Sequence, residues 1–262
     1  MHIVHLSDLH IGKSDNEQKV DQITTWLVDH PSISNQDVIL ITGDVVDDGL
    51  LWQYEIAKGY VERLREAGFC VLCVPGNHDY GPFGITESRR SVRYFREYLS
   101  GDVVYPHLEV ISGQAFILLD SMEQEMEDIE FWGAQGELGE DQLARLDQTL
   151  KNVEDDPGVE NIILALHHHP FQTEFSSQLR DADAFLEVIS GDGKGTSRVD
   201  CLLFGHKHVE LRFNRPPEDK ESQLGIDLIY NGGSTVERNQ EGDMIVPVID
   251  IREMEIRRYK VR

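Results

Sequence analysis

The sequence predicts an α/β fold arranged as a four-layer αββα sandwich, two mixed central sheets with flanking helices, and three observations predict it. Through the first two-thirds of the chain, short apolar runs alternate with stretches whose apolar residues recur at three and four, the pattern of strands and connecting helices. After Phe204 the helical spacing gives way to strand-like runs divided by turn residues, which would most simply complete a second sheet packed on the first. A length of 262 residues, 40% of them hydrophobic, supplies enough apolar surface for a large core. With no internal repeat, residues 1–262 read as a single domain.

Taken in order, the expected strands are His2 to Leu6, Val38 to Thr42, Cys70 to Val74, Phe116 to Leu119, Ile162 to Leu166 and Cys201 to Phe204. Each is a near-continuous apolar run, as befits a strand buried on both faces. Between them, Val20 to Val28, Tyr54 to Leu64, Ser91 to Leu99, Asp141 to Leu150 and Ala184 to Ile189 carry helical spacing. Leu211 to Phe213, Gly225 to Tyr230, Met244 to Ile251 and Met254 to Val261 read as a run of antiparallel strands. Glu123 to Gly136 and Pro216 to Ser222 read as surface loops rather than domain boundaries, the first a candidate lid.

Charge and cysteine content narrow the function classes. Twenty-four basic against 48 acidic residues leave a formal charge of −24, a field that repels phosphate backbones and disfavours extended nucleic acid as a partner. Arg89, Arg90, Arg93 and Arg96 form a local basic set that reads equally as one exposed helix face. No stretch of eighteen apolar residues and no signal-peptide hydrophobic region is found, so the expectation is a soluble, cytoplasmic protein with no membrane association. Cys70, Cys73 and Cys201 are too few for a disulfide framework. Cys70 and Cys73 have the spacing of a redox or zinc pair, but residues three apart in a strand face opposite ways, and they are expected in the core.

The chemistry gathers where strands end. Asp8-Leu9-His10, Gly43-Asp44, Gly76-Asn77-His78-Asp79, His167-His168-His169-Pro170 and Gly205-His206-Lys207-His208 each follow an expected strand, and carboxyl ends of strands are where α/β proteins gather ligands. Singly, each has an ordinary reading as a helix cap, a turn or a satisfied histidine. Jointly, imidazole and carboxylate make a ligand set for a divalent transition metal such as Mn, Fe or Zn.

In order and spacing these five clusters resemble the calcineurin-like metallophosphoesterases, and the Gly-Asn-His-Asp and His-His-Pro forms look like the branch containing class III cyclic nucleotide phosphodiesterases and glycerophosphodiesterases. Leu119-Asp120-Ser121, Gly136 to Leu146 and Asn231-Gly232-Gly233-Ser234 extend the resemblance over nearly the whole chain. The resemblance implies a dinuclear metal site at the strand ends, its two ions about 3.5–4 Å apart. Asp8, His10 and His208 would hold one ion, and Asn77, His168 and His206 the other. Asp44 would bridge both. The ions would generate a hydroxide that attacks phosphorus, and His78 would protonate the leaving oxygen or, alternatively, orient its neighbours. Within the triplet, a ligand two before the proline points to His168. His169 would line the pocket, and His167 would be a core or supporting residue.

Departures from the family's pattern speak to substrate. Protein phosphatases of the family carry two phosphate-gripping arginines, and Asp48 and Pro75 occupy those positions here. Losing that clamp disfavours a dianionic monoester relative to a monoanionic diester. The expectation is a phosphodiesterase for small diesters, a 3′,5′-cyclic nucleotide first. The alternatives are a phosphomonoesterase, a nuclease or a non-catalytic scaffold of the same family. Tyr80, Phe83, Phe171 and Phe175 are candidates for a pocket wall or for ordinary packing, while Asp79, Asp47 and Asp48 are read as supporting groups and His5 as packing. A homodimer is implied by analogy with the family's small diesterases, without a supporting signal in the sequence.

Overall fold

The computed structural model describes residues 1–85, 88–123, 134–171, 177–190, 197–208, 211–212 and 224–262. Most of the expected lid, the 216–222 loop, Phe175 and Phe213 lie outside them. Strands β1 (His2–Leu6), β2 (Val38–Thr42) and β3 (Cys70–Val74) run parallel, and helices α1 (Asn16–Asp29) and α2 (Leu51–Glu66) connect them. The period of two sorts their side chains. Val4, Leu6, Ile39, Ile41 and Cys73 form one core with residues of α1 and α2, while Ile3, Val38, Leu40, Leu72 and Val74 face the other sheet.

That other sheet contains β4 (His107–Ile111), β5 (Gln114–Leu118), β6 (Asn161–Ala165), β7 (Cys201–Phe204), β8 (Leu211–Arg212) and β9 (Leu228–Asn231), in the order β4-β5-β6-β7-β9-β8. Phe116, Leu118, Ile163 and Leu203 meet the first sheet. Ile117, Leu164 and Leu202 pack with Leu146 and Leu150 of α5 (Glu140–Glu154) and with Phe185 and Ile189 of α6 (Ala182–Ile189). The layers are therefore helix, sheet, sheet, helix, as expected. Short helices α3 (Asn77–Tyr80) and α4 (Arg89–Phe95) follow β3, and a wider turn over Arg96–Ser100 extends α4. Among the described residues, no helix is long and apolar enough to cross a membrane.

The tail departs from expectation. It is not one antiparallel run within the second sheet. β9 lies parallel to β7, whereas β10 (Met244–Asp250) and β11 (Glu255–Val261) return to the first sheet, giving the order β11-β10-β1-β2-β3. The reason lies in β1, whose far edge would otherwise expose its backbone groups. β10 pairs antiparallel with that edge and adds Met244, Val246 and Val248 to the core beneath the helices.

Parallel alignment brings the carboxyl ends of β1, β2 and β3 to one edge of the first sheet, and those of β6 and β7 to one edge of the second. The polar clusters begin there.

Candidate metal centre

The centre is built from loops that leave these strand ends, and their backbones are held in an uncommon conformation. Among the described residues, nine that are not glycine have positive φ, and five of those are Asp8, Asp44, His10, His206 and His208. Left-handed backbone at such residues is unfavourable and persists where surrounding structure enforces it, commonly at functional sites. Here the enforcement is visible. Asp8 N and His10 N donate to the carbonyls of Gly43 and Asp44 (3.1 and 2.9 Å). Ser234 Oγ donates to Asp8 O (2.9 Å), and Ser7 N donates to Thr235 Oγ1 (2.9 Å).

One group of metal donors comprises Asp8, His10, Asp44 and His208. The Nε2 atoms of His10 and His208 stand 3.1 Å apart. Asp8 Oδ2 accepts from Ser7 Oγ (2.5 Å) and His206 N (3.2 Å), which leaves buried Oδ1 facing His208 Nε2 at 3.3 Å. A second group comprises Asp44, His167 and His206. His167 Nε2 lies 3.3 Å from Asp44 Oδ2, 3.1 Å from Asn77 Oδ1 and 3.2 Å from His206 Nδ1. Asn77 Nδ2 donates to Gly84 O (3.0 Å), which turns the amide oxygen toward the histidines.

Of the residues expected as ligands, the structure thus brings together Asp8, His10, Asp44, Asn77, His206 and His208. It does not bring His168 into either group. His167 stands there instead. Its Nδ1 donates to Thr42 O (2.8 Å), aiming Nε2 at the cluster. His168 pairs through Nδ1 with Ser121 Oγ (2.7 Å), and its ring lies 4.5 Å from that of His206. His169 packs on Phe204 and Phe171.

Electrostatics match the geometry. Burial pushes the Asp44 carboxyl up, but His167, His78 and His10 outweigh it and hold it well below the usual range. Burial lowers His167, yet Asp44 raises it to about 9. Burial and neighbouring imidazoles hold His206 well below its ordinary value, leaving a neutral ring with lone pairs to offer. His208 is lifted to about 9 by its hydrogen bond with Asp8.

Supporting residues lie around these groups. His78 N donates to Asp44 Oδ1 (2.9 Å) and its Nδ1 to Asp47 O (2.7 Å); Asp47 Oδ1 lies 3.0 Å from His10 Nδ1. Asp79 accepts from Gly76 N and Val46 N (2.9 and 3.0 Å), fastening the Asn77 turn, and burial raises it to about 7. Gln142 holds Asp120 from both sides through Asp120 N and O (2.9 and 2.7 Å). Ser7 and Thr42 carry no signal in the sequence beyond adjacency to the motifs, because their roles depend on contacts across the sandwich, whereas Ser121 and Ser234 fall in the stretches that extend the resemblance. Two of the candidates for a pocket wall or for ordinary packing take the packing role. Tyr80 is fully buried, donating to Asp120 Oδ2 (2.6 Å), and Phe171 packs against the second core.

Four imidazoles, a carboxamide and two carboxylates, several with lone pairs converging at about 3 Å, would repel without a proton or a cation between them. The mixed N and O set suits first-row divalent ions, so the residues fit the metals that the motifs imply.

The chain is similar to known proteins in fold and in sequence. In a solved structure of a dimetal phosphatase from Danio rerio the chain finds the same fold, with a TM-score of 0.66 over 100% of this chain and 96% of that one at 16% identity. By sequence it is 33% identical over 176 residues to a probable cyclic nucleotide phosphodiesterase of Synechococcus sp., covering 66% of this chain and 58% of that protein. It is 28% identical over 183 residues to the 3′,5′-cyclic adenosine monophosphate phosphodiesterase CpdA of Haemophilus influenzae, covering 67% and 56%. The chain thus spans somewhat over half the length of these two relatives. The model of the calcineurin-like phosphoesterase family matches residues 1–210, the stretch that contributes every metal donor described above, and the chain belongs to that family.

Proposed function

We propose that the chain is a dinuclear-metal phosphodiesterase acting on small diesters, a 3′,5′-cyclic nucleotide being the first candidate. The observation that carries the reading is the pair of donor groups that share Asp44. Asp8, His10 and His208 would hold one divalent ion, Asn77, His167 and His206 the other, and Asp44 both. When bound, such ions acidify water and neutralise charge on a phosphoryl group.

The protein's own groups do the rest. Asp44 is fixed by His78 N through Oδ1, leaving Oδ2 toward His10 and His167 (3.8 and 3.3 Å). His78 donates through Nδ1 to a carbonyl, so the proton it can deliver to a departing alkoxide is the one on Nε2. Asp47 steadies His10 and His78 together.

Diester preference is supported by Asp48. Its carboxylate accepts from Phe83 N (3.3 Å) and Gln53 Nε2 (3.4 Å) where a clamp arginine would stand in a phosphatase. A fixed negative charge there penalises a second charge on phosphate. The relatives named as cyclic nucleotide phosphodiesterases support the same substrate class. The −24 charge opposes the nuclease reading, although Arg89, Arg90 and Arg93 are exposed.

The test is hydrolysis of bis-p-nitrophenyl phosphate against p-nitrophenyl phosphate by chelator-stripped protein, with and without Mn. Metal-dependent turnover favouring the diester is expected. Preference for the monoester would overturn the argument from Asp48, and inactivity toward both nitrophenyl esters and toward cyclic AMP across Mn, Fe and Zn would favour a scaffold.

A further inference from the structure

Among the described residues, nine large apolar side chains are exposed, and five of them fall in two short segments beside the candidate metal centre: Leu50, Leu51 and Trp52 at the start of α2, and Phe83 and Ile85 after α3. The segments are tied together. Phe83 N donates to Asp48 Oδ1 (3.3 Å), and Gln53 Oε1 accepts from Asp48 N and Leu50 N (3.0 and 3.2 Å).

Phe83 itself combines two unfavourable features. The residue is 74% exposed, and its backbone sits in the left-handed region at φ 60 and ψ 9, which an aromatic residue rarely adopts. The turn is held there from both sides. Asp48 grips its nitrogen, while the next residue, Gly84, accepts from Asn77 Nδ2 (3.0 Å). A Cβ on Gly84 would fall 2.2 Å from that nitrogen and 2.5 Å from the His78 ring. The aromatic side chain is therefore one residue from direct contact with Asn77 and His78, and the fold maintains it uncovered at a strained position. Of the other aromatic residues near the motifs, Tyr80 and Phe171 are taken up by the cores.

We propose that Phe83 is a specificity-determining residue, its ring the stacking face for the base of a nucleoside esterified to the phosphorus, on the His78 side of the centre. The proposal rests on the small-diester reading and names the group that the diester carries. Asp47 and Asp48 beside this rim oppose an anionic membrane surface or a polyphosphate, and leave a neutral, flat, apolar group as the occupant. Every base presents such a face, and stacking on an aromatic side chain contributes about 5- to 150-fold in affinity.

The experiment measures inhibition of Mn-dependent bis-p-nitrophenyl phosphate hydrolysis by adenosine 5′-monophosphate and by ribose 5-phosphate, in the wild type and in Phe83→Tyr, Phe83→Leu and Phe83→Gly. Glycine suits φ 60, so a change in that variant reports the ring and not misfolding. In the wild type and Phe83→Tyr the nucleotide is expected to inhibit about tenfold more strongly than the sugar phosphate. In Phe83→Leu and Phe83→Gly the ratio is expected to fall toward unity. A ratio near unity in the wild type, or one unaltered by removing the ring, overturns the proposal; so does vesicle binding that is lost in the variants while the ratio stays fixed. KM and kcat for cyclic AMP are measured alongside. If cyclic AMP is not hydrolysed while the inhibition ratio still depends on Phe83, the substrate reading fails and the stacking role stands.

Discussion

A histidine is suited to hold a metal when one ring nitrogen is fixed by a neighbour and the other is aimed at a shared point, and His167 meets both conditions through Thr42 O and through Asn77, Asp44 and His206. His167→Ala is therefore expected to lower the Mn retained after dialysis from two ions per chain to one, whereas His168→Ala keeps two; metal analysis of the folded variants decides, and the reverse pattern would return the role to His168. The choice is not legible in the sequence for a physical reason. β6 ends at Ala165, so strand alternation no longer governs the triplet, and the contact that orients the ring comes from Thr42 on the other sheet. Asp8, His10, Asp44, Asn77, His206 and His208 are legible as candidates because each lies in a short polar stretch just beyond the end of an apolar strand. His5 supplies a different residue-scale test. Burial lowers its ring to about 3 from an ordinary 6.5. The folded value lies below the unfolded one, so between pH 6.5 and 3 the unfolded chain takes up a proton that the folded chain refuses, and stability falls as pH drops through that window. Replacing it by a non-titrating hydrogen-bonding group, His5→Gln, is expected to make the urea midpoint of the metal-free protein less dependent on pH between about 6.5 and 4.5. An unchanged slope would mean that His5 opens to water.

At the scale of elements, a strand end works as a positioning device when the loop behind it approaches another loop without side chains in between. Gly205 follows β7 against the end of β1, and a Cβ there would sit 1.9 Å from Ser7 Oγ and 2.7 Å from Asp8 Oδ2. Gly205→Ala must displace the hydroxyl that holds Asp8, and the expected result is a loss of metal affinity of about 10- to 100-fold with near-native circular dichroism. Gly59 provides the contrast. It lies inside α2, and an added methyl would meet nothing within 4 Å, so Gly59→Ala is expected to stabilise the protein by about 0.5–1 kcal/mol in urea titration and leave metal binding alone. The elements themselves are legible where burial is two-sided. β1, β2, β3 and β7 coincide with their apolar runs. β4 escapes because its central residues are exposed. The tail strands are recognisable, but which sheet they join depends on the open edge of β1, and no local pattern encodes an edge left by another strand.

For the whole molecule, net charge is one term that opposes the compact state. A formal −24 repels itself, and the buried carboxylates Asp8 and Asp44 concentrate part of that repulsion where the two sheets bring their loops together. Divalent ions that bind the folded chain and not the unfolded one stabilise it by mass action, about 2.7 kcal/mol for each site at a hundredfold excess over Kd. In a chain of this size each kcal/mol moves Tm by roughly 2–4 °C. Chelation is accordingly expected to lower Tm by about 10 °C or more, and Asp44→Asn, which removes the carboxylate common to both donor groups, to abolish most of that difference. Added NaCl screens the residual repulsion, so it is expected to raise Tm more in the stripped protein than in the Mn-loaded one. Calorimetry on loaded and stripped protein at low and high salt reads all of these together. If the two forms melt alike at low salt, the donors converge for reasons other than metal, and the two-ion assignment fails at the level of the molecule whatever its geometry.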